Sequence, residues 1–298
     1  MRSGQNGRVR TVKFIGVSTA GSLIHEVFPR WARALGLDGA VCVVGVDVPR
    51  DAPPDRFRAL LREIRDDADC LGAVITSHKT ALYRDARDEF AFLDPLASAC
   101  REINSVRNAE GRLHGHARDP ISVGRVVDAI WPDLDADLLC LGSGGTAIAL
   151  ARHLLGRGQR GRLSFLDRDP AQAEHFAAIL ADPRIEAVAA QGPYDELVAA
   201  ARPGTLVVNA TGAGKDREGS PVTDAVRFPD ACVFWDLNYR GDLRMLAAAR
   251  AQAEAPERGL RAHDGRSLFC HGWAAALTAV LGLPEDPDLA ASFAAQLG

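Results

Sequence analysis

Short apolar runs recur along the chain, most of them followed by a glycine or polar break and then by apolar residues at helical spacing. Residues 12–17 and 40–46 are β-branched runs that predict buried strands, and residues 23–35, closed by Gly36, predict a helix between them. Phe57, Leu60, Leu61 and Ile64 fall on one face of a helix over 55–67, ahead of a strand at 72–76. Gly111 and Gly115 suggest a hairpin, after which Asp119 stands at the N-cap of a helix opened by Pro120 and running through Val123, Val126, Val127 and Ile130. From there the pattern gives strands at 138–141 and 161–166, a helix at 170–180, a weak strand at 186–190 and a helix at 195–201. Strands at 205–208 and 231–235, a closing helix over 268–281 and a short terminal helix beyond Pro284 complete it. Strands alternating with helices in this way define an α/β chain.

One break carries more than a turn. Leu138-Leu139-Cys140-Leu141 runs into Gly142, Ser143, Gly144, Gly145, Thr146 and Ala147, and an Ala/Leu-rich helix follows. In a dinucleotide-binding βα turn the first glycine bends the chain sharply, the second admits a pyrophosphate to the backbone, and a small third residue packs helix on strand. The helix start adds unpaired N–H groups and a positive dipole end. About twenty residues past the glycines, Asp167 ends the next predicted strand, where a carboxylate accepts a ribose hydroxyl. A helix-start turn with a capping aspartate is the plainer alternative.

Composition narrows the chemistry. With 298 residues, 47% hydrophobic and 25% charged, the chain has the material for two ordered domains. A net charge of -4, without a basic face or tail, argues against nucleic-acid and anionic-membrane partners. Residues 1–10 carry three arginines without an apolar run behind them, which reads as a polar leader and not a secretory signal, and no apolar stretch reaches membrane-spanning length. Six scattered cysteines, without C-x-x-C or metal-ligand spacing, are expected to be buried free thiols in a reducing cytoplasm, and no metal is expected.

Several polar segments, taken in order, resemble the shikimate dehydrogenase family. Residues 72–79 are similar to its G-x-N-V-T-x-P-x-K segment, 102–106 to G-A-V-N-T-V, and 111–119 to G-x-L-x-G-x-N-T-D. Residues 207–212 are similar to its I-N-A-T loop, 235–239 to D-x-x-Y, and 264–276 fall where its late glutamine-bearing helix would be. The resemblance implies an N-terminal α/β substrate domain, 1–118, completed by helices from 265–298, with a Rossmann NAD(P)-binding domain, 119–264, and the active site in the interdomain cleft. It implies reversible oxidation of a secondary ring hydroxyl, with Lys79 as acid/base and Asp119 as its partner. Ser22, Thr76, Asn104, Tyr239 and His271 are then substrate-binding. Gly142 to Ala147, Asp167, Arg168, Asn209 and Thr211 are cofactor-binding, and the loop over 211–224 closes over the nicotinamide half. For Lys79, Asn104 and Tyr239 a helix start, a turn and a packing role stand as alternatives.

The chain also departs from that pattern. Of a serine pair that grips the substrate carboxylate, Ser22 keeps one hydroxyl and Ile24 replaces the other; a hydrogen bond to a charged oxygen is worth about 1.5–3 kcal/mol. Thr76 and Lys79 are one residue closer than in the family, His78 falls beside the proton-transfer group, and His271 takes the place of the glutamine, where it could hydrogen-bond a hydroxyl or, protonated, pair with a carboxylate. His114 and His116 read as exposed hairpin histidines. The resemblance implies shikimate or a related cyclic hydroxy acid as substrate, and these changes point to a subgroup acting on a different one, such as quinate, an amino analogue or another hydroxycyclohexane carboxylate. Asp167-Arg168-Asp169 stands where NADP-binding members carry N-R-T: two carboxylates repel a 2′-phosphate and favour NAD, while Arg168 keeps NADP open. A non-catalytic NAD(P)-binding regulator or scaffold is the competing reading, and monomer and homodimer both stay open.

Overall fold

The computed structural model describes residues 8–215 and 218–297; the first seven residues of the polar leader, and residues 216 and 217 of the glycine-rich loop, lie outside the described residues. The chain divides into two compact units, residues 1–118 with 272–298, and residues 119–271.

The first unit begins with β1 (Arg10–Gly16), α1 (Ile24–Ala34), β2 (Val41–Asp47), α2 (Pro54–Asp66) and β3 (Cys70–Ile75). Then come α3 (Lys79–Ala86), β4 (Phe92–Leu93), α4 (Pro95–Cys100), β5 (Ser105–Ala109) and β6 (Arg112–His116). Its six strands run in the order β2-β1-β3-β5-β6-β4. β1 pairs parallel with β2 and β3, and β5 pairs antiparallel with β3 and β6. That reversal brings the start of β5 and the end of β6 to the edge where β1 and β3 finish. Phe57, Leu60, Leu61 and Ile64 of α2 lie in a core with Ile15, Ala73, Ile75, Leu82, Ile103 and Leu113, as their helical spacing predicts. The β5–β6 hairpin turns through Glu110 (φ 54) and Gly111 (φ 79). Gly115 is not part of that turn: it sits inside β6, where the rings and methyls of Phe90 and Leu93 fill the space a Cβ would take.

The second unit contains α5 (Asp119–Ile130), β7 (Leu138–Leu141), α6 (Gly145–Gly156), β8 (Leu163–Asp167), α7 (Pro170–Leu180), β9 (Ile185–Ala189) and α8 (Asp195–Ala199). It continues with β10 (Leu206–Asn209), β11 (Val233–Asp236), α9 (Arg244–Ala253), β12 (Arg261–His263) and the start of α10 (Arg266–Leu281). The remainder of α10 and α11 (Leu289–Ala294) belong to the first unit. All six strands are parallel, in the order β12-β11-β10-β7-β8-β9. Chain order reverses between β7 and β10, the doubly wound arrangement in which ligands bind outside the carboxyl ends of the strands at the reversal. β7 and β10 are buried along their whole length, which is why they read as uninterrupted apolar runs. Among the described residues no helix is long and apolar enough to cross a membrane.

Candidate active site

In the second unit the glycine turn lies at the carboxyl end of β7. Gly142 has φ +106, and a Cβ on it would stand 2.7 Å from the Ala210 carbonyl carbon and oxygen, so glycine is the residue this turn accepts. Gly144 differs: φ is -74, it caps α6 without a side-chain bond, and a Cβ placed on it meets nothing within 4 Å. That open space lies in front of the first N–H groups of a helix, the arrangement that receives phosphate. Ala147 is buried against the strand, and Gly145 and Thr146 are half-buried on the first turn. Asp167, at the end of β8, accepts from the Ser143 amide at 3.0 Å and hydroxyl at 2.8 Å through Oδ2, and from the Asp169 amide at 3.1 Å through Oδ1. It therefore ties the turn to the next strand and keeps lone pairs on Oδ1 for a further donor. Arg168 is exposed beside it. The Asp169 carboxylate caps α7, accepting from the Ala171 amide at 3.0 Å, so it belongs to a helix end and Asp167 is the carboxylate at the strand end.

Asn209, at the end of β10, is buried. Its Nδ2 donates to Asp236 at 3.0 Å, and its Oδ1 accepts from the Thr211 hydroxyl at 2.7 Å and amide at 3.2 Å. It braces the loop from beneath, and Thr211 forms part of the loop surface. Burial raises the Asp236 carboxyl above the usual range, against hydrogen bonds from Asn238 and Asn209 that lower it. Tyr239 is half-buried and packs its ring on Phe269 at 4.7 Å. His271, on α10, is half-buried; burial, with Arg125 as a second positive influence, pushes its pKa below the ordinary value. Burial and Arg125 thus both favour the neutral ring. Its Nδ1 is buried without a hydrogen-bond partner.

In the first unit the polar residues gather at the edge where β1 and β3 finish. Ser22 lies on the loop after β1, which Asp47 organises by accepting from the Thr19 amide at 2.8 Å and hydroxyl at 2.6 Å. Ser22 is buried, and its Oγ stands 3.5 Å from the Ile24 amide. Ile24 is fully buried as the first residue of α1. Thr76 continues β3, its amide donating to the Ile15 carbonyl at 2.9 Å. Lys79 is the first residue of α3 and half-buried. Asn104, just before β5, is buried; its Oδ1 accepts from the Arg118 amide at 2.8 Å and the Ser105 hydroxyl at 3.0 Å. Asn104 thus fixes the residue immediately before Asp119, which opens α5; Asp119 is the first helical residue, and its carbonyl accepts from the Ser122 hydroxyl at 3.1 Å.

Three histidines read from the sequence behave differently in the fold. His78 is a core residue: it is buried, packs on Phe57 at 5.4 Å and bonds the Val48 carbonyl at 2.8 Å through Nε2. Burial lowers its pKa, with Arg50 adding to the effect against the Val48 bond, so it is a neutral structural ring. His114 and His116 are not exposed; both are half-buried against Phe92, at 5.5 and 5.9 Å, and His116 Nδ1 stands 3.4 Å from Asp94. Asp94 caps α4 and also meets Arg118 at 3.3 Å. Sequence reading singles out none of Asp94, Arg118 and the fully buried Glu102, although the last two lie inside the quoted motif segments; an acidic residue directly before the apolar Ile103 is the signal that marks Glu102.

A parallel sheet with this reversal and a glycine turn at its carboxyl edge, linked to a second α/β unit with a polar strand-end cluster, is the architecture of a dinucleotide-dependent dehydrogenase. No protein-family model matches the chain. A relative from Salinibacter ruber named shikimate dehydrogenase (NADP(+)) is 34% identical over 197 residues, covering 64% of this chain and 68% of that one. One of that name from Thermus thermophilus is 27% identical over 274 residues, covering 92% and 93%. The solved Thermus thermophilus shikimate 5-dehydrogenase in complex with shikimate is 26% identical with a TM-score of 0.72, covering 97% and 98%. Quinate dehydrogenase from Corynebacterium glutamicum in complex with NAD shares the fold at 22% identity, 97% and 98% coverage and a TM-score of 0.72. The chain belongs to the shikimate dehydrogenase family of NAD(P)-dependent oxidoreductases.

Proposed function

We propose that this protein reversibly oxidises a secondary ring hydroxyl of shikimate or a related cyclic hydroxy acid to the ketone, with Lys79 as acid/base and Asp119 as its partner. The observation that carries the reading is the gathering of Ser22, Thr76, Lys79 and Asn104 at one sheet edge of the first unit, while the second unit has a glycine turn at the carboxyl end of β7 tied to Asp167. Gly144, the first turn of α6 and Asp167 would hold the cofactor, whose nicotinamide, when bound, takes up the carbinol C–H hydrogen with its electron pair. Lys79 as the neutral amine accepts the hydroxyl proton as the carbonyl forms, and as the ammonium returns it in the reverse direction. Asp119 orients that nitrogen and favours its charged form. Asn104 holds a ring hydroxyl, its amide oriented by Arg118 and Ser105. Ser22 supplies one hydroxyl to the substrate carboxylate.

For the cofactor, Asp167 supports NAD: a carboxylate at the end of β8 accepts a ribose hydroxyl and repels a 2′-phosphate. The Salinibacter ruber and Thermus thermophilus relatives carry NADP(+) in their names, so this preference would distinguish the chain from those two, whereas the quinate dehydrogenase structure holds NAD. The substrate is a small cyclic hydroxy acid, and six free cysteines suit a cytoplasmic setting.

Turnover of shikimate, quinate and their amino analogues, followed at the nicotinamide absorbance with NAD and NADP, tests the whole reading. We expect activity with at least one acid, higher with NAD, and a loss of ~10²–10⁴-fold in Lys79→Ala, the range for a general acid/base. The replacement of a serine by the buried Ile24 favours the competing reading, a cofactor-binding regulator. Cofactor binding without turnover across the panel would establish that reading and overturn the enzymatic one.

A further inference from the structure

We propose that Glu102 is a positioning residue for Lys79: a buried carboxylate whose charge acts on the lysine ammonium from within the first unit and sets the pH range in which Lys79 exchanges protons. This rests on Lys79 being the acid/base. Glu102 has no exposed surface. It stands between Arg101, which ends α4 in the left-handed conformation (φ 49), and the segment that enters β5. Three backbone bonds fix that segment: the Glu102 amide donates to the Ala97 carbonyl at 3.2 Å, the Ile103 amide to the Lys79 carbonyl at 3.0 Å, and the Asn104 amide to the His116 carbonyl at 3.0 Å. Alternate residues of an extended segment face opposite sides. Ile103 belongs to the apolar core with Leu82, Ala97 and Leu113, which puts Glu102 on the other side with Asn104.

A carboxyl group shut away from water persists either neutral or beside a cation. The charged and titratable groups on the elements around Glu102 are Lys79, Arg84 and Asp85 on α3, Asp94 and Arg101 at the two ends of α4, Arg107 on β5, and Arg112, His114, His116 and Arg118 on and just after β6. Arg84 and Asp85 pair with each other at 2.6 Å, and Asp119 is the second carboxylate assigned to Lys79 in the proposed function, so Glu102 acts in addition to it. Arg101 is exposed. His116 and Arg118 both converge on Asp94, at 3.4 and 3.3 Å, and Arg118 also meets Glu285 at 3.1 Å. His78, next to Lys79, is bonded to the Val48 carbonyl. Lys79, whose own carbonyl is bonded to the residue following Glu102, is the cation that matches it.

The consequence is specific to this chain's pH behaviour. Oxidation needs the neutral amine, and a carboxylate beside Lys79 favours the ammonium, so the acid limb of the oxidation profile moves to higher pH. In Glu102→Gln, which keeps the shape and removes the charge, the acid limb of kcat should move down by about one pH unit, and Glu102→Asp should restore it. A readout independent of turnover is the unfolding midpoint: Lys79→Met should lower it, and adding Glu102→Gln to Lys79→Met should recover part of the loss. An unmoved acid limb in Glu102→Gln, or strictly additive unfolding effects, overturns the pairing. Turnover that survives in Lys79→Met overturns the acid/base reading itself, whatever the unfolding cycle gives.

Discussion

Asp94 ties the start of α4 to the end of β6, meeting the Ala97 and Ala117 amides, His116 and Arg118. Burial works to raise its carboxyl pKa, but hydrogen bonds from His116 and the Ala97 amide, the charge of Arg118 and a bond from the Ala117 amide outweigh it, and the group is held below its ordinary value of 3.8. A depressed folded pKa gives stability that is complete above the unfolded value and is lost as pH falls through the lower folded one. Asp94→Ala removes a helix cap and leaves Arg118 without a buried anion and the His116 ring without its neighbouring carboxylate. It should cost about 3 kcal/mol by urea unfolding near neutrality and flatten the acid limb of the stability profile. Such a site is hard to read from sequence because Asp94, His116 and Arg118 come together only through the pairing of β4 with β6. Lys79, by contrast, follows β3, which an apolar run marks plainly, and Asn104 lies in a segment that the family resemblance marks.

At the level of elements, legibility followed burial. The second unit's inner strands are mainly apolar up to the polar residues that end them and are readable to within two residues at either end, as is α7 between its Asp169-Pro170 start and Leu180. β4, two residues long, and β12, Arg261–His263, have no apolar run to declare them, and pairing with β6 and β11 defines them instead. α4 did carry a signal in Asp94-Pro95, an N-cap followed by proline, which outlines a helix too short to show periodicity. α9 is alanine- and arginine-rich, and its three buried residues are too few to show a stripe. The two glycines of the turn between β7 and α6 separate a folding test from a binding test. Gly142→Ala forces a Cβ into the Ala210 carbonyl at a positive φ and should lower stability by several kcal/mol. Gly144→Val points into open space at an ordinary φ, so the unfolding midpoint should hold within a few degrees while fluorescence titration shows binding of the reduced cofactor lost. Retained binding in Gly144→Val would remove the turn from the cofactor site.

For the molecule as a whole, His78, His114, His263 and His271 all have pKa values lowered first of all by burial. Each takes up its proton more readily unfolded, near 6.5, so unfolding free energy should decline as pH falls below that value, and His78→Gln should reduce the slope. Chain topology imposes a second global property. The backbone leaves the first unit at Arg118, builds the second, and returns at Gly272 to finish the first. The return is a packing requirement: the fully buried Phe293 ring of α11 stacks on Trp31 of α1 at 4.1 Å and 3°, and the Trp31 indole N–H donates to the Phe293 carbonyl at 3.2 Å. A contact spanning 262 residues makes completion of the first unit depend on the last helix, so the N-terminal segment alone lacks part of its core. Phe293→Ala removes a buried ring at no polar group and should cost about 3–5 kcal/mol. In calorimetry, that loss should appear in the transition reported by Trp31 fluorescence, with nicotinamide cofactor binding by the second unit preserved below it. Equal loss of both signals at one lowered midpoint would instead mean that the two units melt as a single cooperative body.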